Sequence, residues 1–292
     1  MATRKATLVL SGGGANGAYQ AGVEAALRRR GYEWERIFGV SVGALNGLIL
    51  AQDMPNKLLD VWHRISEKDI YTKRSWPVVA MRVLGGSTGF YDNTPLMKTI
   101  ERVASGIYMP IEAWCGRTSL VTGQFELVSN KEPHFLEATW HSATMPIVWN
   151  SVGPRALADG GLRNMTPLGA ALDRNPKNEI VVIQCGPAYL SECKTPTNIL
   201  EAAKRALVDV ALNEISSGDI DGFLRVNRLV QQAAEHGLTL YDDDDRPYRY
   251  MPITVIRPVD QVGDTLDFSH EKIEKRIRLG FEAGLNAKLP EV

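Results

Sequence analysis

The first fifty residues alternate between short apolar runs and longer stretches with apolar residues at helical spacing. Apolar residues fill 7–10 and 37–40, which predicts two buried strands. Between them, residues 18–30 have helical periodicity that ends at Gly31, and residues 44–52 predict a second helix. Because short loops join strand, helix, strand and helix, the pattern indicates parallel strands covered by helices.

The rest of the chain continues this pattern without repeats or low-complexity linkers. Residues 117–130 alternate like a β-hairpin that turns at Gly123, and residues 55–115 are largely helical and irregular, which predicts a cap segment. The other predicted elements are a helix at 136–144, strands at 178–186 and 251–258, helices at 198–216 and 219–235, and a terminal helix over 269–288 with Ser269 as N-cap. We therefore expect a single α/β domain over 1–292, a three-layer fold whose mostly parallel sheet has helices on both faces.

Composition narrows the function classes. The chain has 292 residues, 44% of them hydrophobic and 23% charged, with a formal net charge of −1. This composition is ordinary for a globular protein, and without a basic surplus we expect no nucleic-acid partner. Three cysteines do not form a paired framework, and no apolar run has the length of a signal peptide or a membrane span. We therefore expect a cytoplasmic protein, with peripheral contact at the inner membrane surface left open.

A glycine-rich loop follows the first predicted strand. Gly12, Gly14 and Gly17 match G-x-G-x-x-G between a strand and a helix, as in dinucleotide-binding proteins. That interpretation also requires an acidic residue at the end of the second strand, which here ends at Ser41, so nicotinamide binding is disfavoured. Backbone amides at a helix N-terminus suit a phosphate or the oxyanion of an acyl-transfer intermediate equally, and a tight turn without ligand is the remaining alternative.

Ser41 stands between Gly39 and Gly43 in a G-x-S-x-G motif with a predicted strand before it and a helix after it. Residues two before and two after the nucleophile of such a turn approach each other closely, so side chains there would clash. The helix N-terminus favours negative charge that develops at the serine. Because both loops follow adjacent parallel strands, we expect them at the same edge of the sheet. A turn of small residues without function is the alternative.

The sequence leaves the general base open between a histidine and a carboxylate. None of the five histidines lies in a recognisable motif, although His141, in WHSATMP, is retained as a candidate. Asp159 follows an apolar strand end and precedes Gly160 and Gly161. Burial raises the pKa of a carboxyl group and its basicity, so a buried aspartate can take the proton of a serine. Asp-Gly-Gly is equally typical of a plain turn, and spacing alone does not decide.

Three segments, LVLSGGGANGAYQAGV, FGVSVGALNG and ADGGLRNMTP, occur in the order found in the patatin-like phospholipase family, which the chain resembles. The stretches GFYDNTPLMKTI, ATWHSATMPIVWNSV and FSHEKIEKRIRLGFEAG are also similar to that family, so the resemblance covers most of the chain. It implies a serine–aspartate dyad without histidine on a parallel-sheet α/β fold.

The resemblance also implies a role for individual residues. The expected site consists of the nucleophile Ser41, the base Asp159, an oxyanion hole formed by the amides of Gly12, Gly13 and Gly14, and the elbow glycines Gly39 and Gly43. The family often has arginine or lysine at the place of Asn16, so the resemblance gives no cation in this loop to help with an anionic headgroup.

The implied reaction is hydrolysis of a fatty-acyl ester of a phospholipid or lysophospholipid, with no cofactor and no metal. Two other functions stay open. A thioesterase or acyltransferase would use the same dyad, and a lipid-binding module with little turnover would need a broken one. The acidic stretch 241–248 lacks the ligand spacing of a calcium loop, and we expect it to be solvated.

Residues 71–91 are the candidate for membrane contact. Basic, aromatic and apolar side chains are mixed there: Tyr71, Lys73, Arg74, Trp76, Val78, Val79 and Met81. Such a segment can lie on an anionic bilayer. A cap helix packed on the core is the alternative.

Overall fold

The computed structural model describes residues 3–54, 56–87, 89–149, 155–174 and 178–289. The strands are β1 (Arg4–Leu10), β2 (Tyr32–Val40), β3 (Gly89–Tyr91), β4 (Glu112–Ser119), β5 (Phe125–Ser129), β6 (Ile147–Trp149), β7 (Leu157–Asp159), β8 (Ile180–Ile183) and β9 (Ile253–Ile256). The α-helices are α1 (Gly17–Arg29), α2 (Val42–Leu50), α3 (Lys57–Arg64), α4 (Trp76–Leu84), α5 (Thr94–Ala104), α6 (Phe135–Ser142), α7 (Leu168–Asp173), α8 (Ile199–Ala203), α9 (Ala211–Glu235) and α10 (His270–Asn286).

The main sheet has the order β5-β4-β2-β1-β8-β9, and β7 also pairs with β4. Strands β4, β2, β1, β8 and β9 are mutually parallel, whereas β5 and β7 run antiparallel to β4. The hairpin predicted at Gly123 is therefore present as β4 and β5. Because β1 and β2 are parallel neighbours, with Leu10 opposite Gly39, the loops that follow them emerge at the same edge of the sheet.

Helices cover both faces of this sheet, so its strands bury side chains alternately on each side. In β1, Leu8 and Leu10 join the larger core cluster, whereas Val9 joins a second one. The larger cluster contains residues of α1, α2 and α10, and the second contains residues of α7 and α9. A continuous apolar strand buried on both faces is typical of a parallel sheet. The predicted three-layer α/β fold is confirmed.

The segment predicted as a cap contains α3, α4, β3 and α5 between residues 57 and 104. Strand β3 does not join the main sheet but pairs in parallel with β6, with Gly89 opposite Ile147. Of the neighbouring helices, α3 and α5 contact α2, and α4 contacts β3. The division of the chain into a single domain with a cap stays a prediction.

The sequence prediction of two separate helices at 198–216 and 219–235 is wrong. One helical run covers 199–235, and its residues 204–210 form a π-helix between α8 and α9. Gly218 lies inside α9, where glycine costs about 1 kcal/mol relative to alanine. The flanking Leu212 and Ile220 are buried, and the burial of such side chains exceeds that cost.

The terminal helix begins as predicted, but its N-cap acts differently. Ser269 precedes the first residue of α10, yet its hydroxyl makes no capping hydrogen bond. The carboxylate of Asp267 accepts a hydrogen bond from the Ser269 N–H instead, at 3.0 Å. No helix in the described part of the chain is long and apolar enough to cross a membrane.

Residues 71–91 do not form one amphipathic surface. Tyr71 and Val79 are buried in the protein, whereas Val78 and Met81 are exposed. The side chain of Trp76 lies outside the described part of the structure. Part of the segment therefore packs on the core, as the alternative interpretation proposed, and only part of it faces solvent.

Candidate active site

Ser41 occupies a sharp turn between β2 and α2. Its backbone has φ 55° and ψ −126°, a region that glycine adopts readily and that other residues rarely enter. A Cβ atom on Gly39 would lie 2.3 Å from the carbonyl oxygen of Gly43, which no real contact allows. A side chain is therefore sterically excluded at Gly39, on this side of the serine. The turn holds the Ser41 side chain at the N-terminus of α2.

A second, buried serine holds the Ser41 turn in place. No sequence motif indicates this residue. The Oγ of Ser142, at the end of α6, accepts a hydrogen bond from the Ser41 N–H at 2.9 Å. The same hydroxyl donates to the Gly116 carbonyl on β4 at 2.5 Å. Because a backbone in a strained conformation persists only when its surroundings fix it, we assign Ser142 to the positioning of the Ser41 turn.

Replacing Ser142 by alanine is expected to leave the Ser41 N–H and the Gly116 carbonyl without their partner. The free energy of unfolding should fall by about 1–3 kcal/mol. Because the nucleophile also shifts, kcat for a soluble ester should fall by up to ~10²-fold. Urea titration and steady-state kinetics measure the two effects.

Ser119→Ala is the matched control, since Ser119 is also buried and its Oγ donates to the Arg155 carbonyl at 3.0 Å. Its stability loss should be similar, and kcat should stay near that of the wild type. An equal fall of kcat in both variants would show that Ser142 has only a structural role.

The pairing of β7 with β4 places Asp159 near Ser41. Strand β2 pairs with β4 as far as Val40 opposite Gly116, and β7 pairs with the next residues, with Asp159 opposite Arg117. Because β5 occupies the other edge of β4 along residues 114–118, β7 lies on the β2 side, just beyond the end of β2. The end of β7 therefore faces the residue that follows β2, which is Ser41.

The Asp159 carboxyl is almost completely buried, with 1% of its surface exposed. Its Oδ1 accepts a hydrogen bond from the Gly161 N–H at 2.8 Å. The Ser41 side chain lies close enough to lower the pKa of the carboxyl. Burial raises the pKa of Asp159 to about 7, and the Ser41 side chain and the Gly161 N–H oppose this shift only in part. The guanidinium of its strand neighbour Arg117 bonds Glu126 instead, at 3.2 Å.

The glycine loop between β1 and α1 packs too tightly for side chains. A Cβ atom would lie 2.3 Å from the Cys185 Cβ if placed on Gly13, and 2.2 Å from the Thr265 oxygen if placed on Gly14. Both glycines also have positive φ, 151° and 56°. The loop is fixed from outside as well, because the Ala15 N–H donates to the Thr265 carbonyl at 2.7 Å.

The three glycine amides are not equivalent. The Gly12 N–H already donates to the Met165 carbonyl at 3.0 Å, which ties the loop to the segment after Asp159. The Gly12 N–H therefore already has a partner, and the expectation that all three amides act as oxyanion donors stays a prediction. The amides of Gly13 and Gly14 make no hydrogen bond to other described residues. The sequence could not distinguish these amides, because the distinction depends on a carbonyl some 150 residues away.

His141 is buried but stands in a different environment. Its Nδ1 lies 3.5 Å from the Arg117 guanidinium, and its Nε2 has no hydrogen-bond partner within the described residues. Burial, together with the charge of Arg117, lowers the pKa of His141, while the charge of Glu137 acts in the opposite direction. The Ser41 side chain affects the pKa of Asp159, and it is not among the groups that shift the pKa of His141.

A cavity of about 740 Å³ opens from the serine. Ser41, Asp159 and the glycine loop line one part of it. Its walls are mostly apolar. They include Leu45, Leu48 and Ile49 of α2, Trp62 of α3, Leu96, Ile100 and Val103 of α5, and Phe268 in the loop before α10. None of the described side chains that line it is a lysine, arginine or histidine. In the described parts of the chain, no group of three or more His, Cys, Asp or Glu residues is placed to hold a metal ion.

A model of the patatin-like phospholipase family matches residues 8–172, which contain the glycine loop, Ser41 and Asp159. The chain belongs to the patatin-like phospholipase family. This match covers more than half of the chain, and it ends before β8. No curated protein matched the chain significantly.

Two solved structures are similar to this patatin-like chain at low identity. VipD from Legionella pneumophila has 12% identity and a TM-score of 0.43, and the match covers 97% of this chain and 66% of VipD. The heterodimeric ExoU–SpcU complex of the Pseudomonas aeruginosa type III secretion system has 18% identity and a TM-score of 0.31. That match covers 76% of this chain and 52% of the other. The chain thus spans one half to two thirds of the proteins it matches.

Proposed function

We propose that this patatin-like protein is a serine acyl hydrolase that cleaves fatty-acyl esters of phospholipids or lysophospholipids through a Ser41–Asp159 dyad. One observation carries the proposal: a buried carboxyl with a pKa near 7 lines an apolar cavity together with the elbow serine, which lies close enough to lower that pKa. A carboxyl group in this state is a stronger base than a solvated aspartate, and it accepts a proton at neutral pH.

In the first half-reaction, the Ser41 Oγ attacks the ester carbonyl carbon and its proton passes to Asp159. A tetrahedral intermediate forms with negative charge on the former carbonyl oxygen. When it collapses, the bond to the alcohol breaks, and the alcohol leaves with the proton held by Asp159. The acyl chain remains on Ser41 as an ester, as is usual for serine nucleophiles.

In the second half-reaction, water replaces the alcohol. Asp159 takes a proton from the water as it attacks the acyl carbon, and then returns that proton to the Ser41 oxygen as the serine leaves. The products are the fatty acid and the free enzyme. One group thus acts as base and acid in turn, for which a pKa near neutrality is suited.

The amides of Gly13 and Gly14 are proposed as the oxyanion donors, and Gly12 as the residue that anchors the loop to Met165. Backbone donors fixed in place lose little free energy to reorganisation when charge develops. Each is worth about 3–4 kcal/mol in comparable sites. The N-terminus of α2 adds a favourable partial charge beside Ser41.

The cavity is proposed to hold the acyl chain, because its lining is apolar and it reaches the serine. Substrate class is tested with a panel of defined phospholipids, lysophospholipids, neutral glycerides and acyl thioesters, with released fatty acid as the readout. Preferred hydrolysis of glycerophospholipid or lysophospholipid esters supports the proposal. Turnover of thioesters alone would assign the dyad to a thioesterase, and vesicle binding without turnover would indicate a lipid-binding module.

His141→Gln is expected to retain turnover within a few-fold of the wild type, since the dyad does not use a histidine. Glutamine occupies a similar volume and can hydrogen-bond near Arg117. Initial rates on a soluble ester measure the effect, and circular dichroism controls for folding. A complete loss of turnover in the folded variant would favour a catalytic triad over the proposed dyad.

The proposed setting is the cytoplasm, with peripheral contact at a membrane that supplies the lipid. The formal charge of −1 gives no general attraction to nucleic acid, and none is proposed as a partner.

A further inference from the structure

Two large apolar side chains line the cavity and are also strongly exposed. Ile147 in β6 has 53% of its surface exposed, and Leu207 in the π-helix has 54%. A side chain that both lines a cavity and faces solvent stands where the cavity meets the surface. We refer to these two residues as the apolar rim. Single exposed apolar side chains are common on protein surfaces, so the informative feature is the position of these two at the cavity.

The backbone of Ile147 strengthens this point. Its φ is 73°, in the left-handed region, where a β-branched residue is an outlier and asparagine or glycine fits better. Ile147 is thus exposed and also has an unfavourable backbone conformation at the start of β6. Strained residues of this kind concentrate at functional sites, and here the strain is retained together with an exposed apolar side chain.

Leu207 lies in a second local irregularity. Residues 204–210 form a π-helix, a rare conformation found mostly at functional sites. Val210, in the same segment, is also exposed to 48%. The irregular helix therefore presents apolar surface at the cavity, as the strained strand does.

The charges around the cavity indicate what kind of surface fits. The described side chains lining the cavity include no cation, and its second carboxylate, Asp209, lies 3.4 Å from Arg205 outside the lining. Electrostatic attraction to an anionic bilayer therefore has no source in this lining. Apolar side chains beside walls without cations fit a lipid surface without net charge, into whose interface they can insert.

We propose that the apolar rim inserts into a zwitterionic lipid surface, so that an ester passes from the lipid into the cavity without crossing water. This inference rests on the proposed function, because the cavity must hold the acyl chain of a lipid. It places the membrane contact at Ile147 and Leu207 rather than within residues 71–91.

The test compares hydrolysis of zwitterionic phosphatidylcholine vesicles with hydrolysis of a soluble short-chain p-nitrophenyl ester. The variants are Ile147→Asn, which suits the positive φ, and Leu207→Gln. In each, the ratio of the vesicle rate to the soluble-ester rate should fall about tenfold, the effect of removing one inserted aliphatic side chain. Raising the ionic strength should leave the wild-type ratio unchanged, because the contact does not depend on charge.

Leu285→Gln is the matched control, because Leu285 is a helical leucine with 46% exposure outside the cavity lining. Its ratio should equal that of the wild type. An unchanged ratio in either rim variant, or an equal fall in the control, would overturn the proposal. So would wild-type binding to anionic vesicles alone.

Vesicle flotation in the Ser41→Ala background measures binding without turnover. The rim variants should float about tenfold less at limiting lipid. This readout separates the two proposals. If the wild type does not hydrolyse the soluble ester, the hydrolase proposal is rejected. If the rim variants float as well as the protein with an intact rim, the docking surface is rejected.

Discussion

Ser41→Ala is expected to abolish ester hydrolysis, with kcat falling on the order of 10⁴–10⁶-fold. Without the hydroxyl no acyl-enzyme forms, and only the binding and oxyanion contributions remain. The measurement is the initial rate on a p-nitrophenyl ester, with fluorophosphonate labelling of the protein as a second readout. Both should be lost together. Retained labelling at another serine would mean that the nucleophile has been wrongly assigned.

Ser41→Gly gives the matched comparison on stability. Both substitutions remove the nucleophile, but only glycine adopts φ 55° and ψ −126° without strain. Relief of that strain is worth about 1–3 kcal/mol. The Tm of Ser41→Gly should therefore exceed that of Ser41→Ala by several degrees, at roughly 2–4 °C per kcal/mol. Equal melting temperatures in the two variants would remove the argument for a strained nucleophile turn.

Asp159→Asn is the second substitution with a large expected effect. A neutral amide does not accept the serine proton, so kcat should fall by on the order of 10⁴-fold. The control is Asp209→Asn, which changes the other carboxylate in the cavity lining and should retain most of the turnover. A loss confined to Asp209→Asn would identify Asp209 as the base.

The pH dependence follows from the raised pKa of Asp159. The ionised carboxylate is the base, so the kcat/KM of the wild type should rise through about pH 7 and level off above it. A profile that is flat between pH 5 and 9, with dyad-dependent turnover intact, would contradict the buried base. The pH values of this experiment bracket the pKa by about two units on each side.

Stability should depend on pH in the opposite sense. Because the folded-state pKa of about 7 exceeds the ordinary value of 3.8, the protonated form is favoured by folding. The contribution of Asp159 to stability is therefore full below about pH 4 and is lost as the pH rises through 7. Asparagine has no proton to lose, so Asp159→Asn should gain stability over the wild type with rising pH, by at most about 4 kcal/mol. Thermal unfolding of both proteins across this range measures the difference.

The local turn chemistry was predictable from the sequence, because it depends on neighbours in the chain. Gly39 and Gly43 surround Ser41 closely enough that the steric requirement follows from their spacing alone. Apolar runs likewise predicted the parallel strands β1 and β2. Where a boundary depended on packing, as at Gly218 within α9, the sequence pattern predicted a break that burial of the flanking residues prevents.

The sequence by itself determined the parallel α/β fold and the conformation of the nucleophile turn, since periodicity and glycine spacing act over a few residues. Only the tertiary structure decided that β7 follows β2 along β4, which brings Asp159 to Ser41 across more than a hundred residues. It also decided that Gly12 is engaged by Met165 and that Ser142 holds the serine backbone. These are contacts between distant segments, and their energies depend on burial that no local pattern encodes.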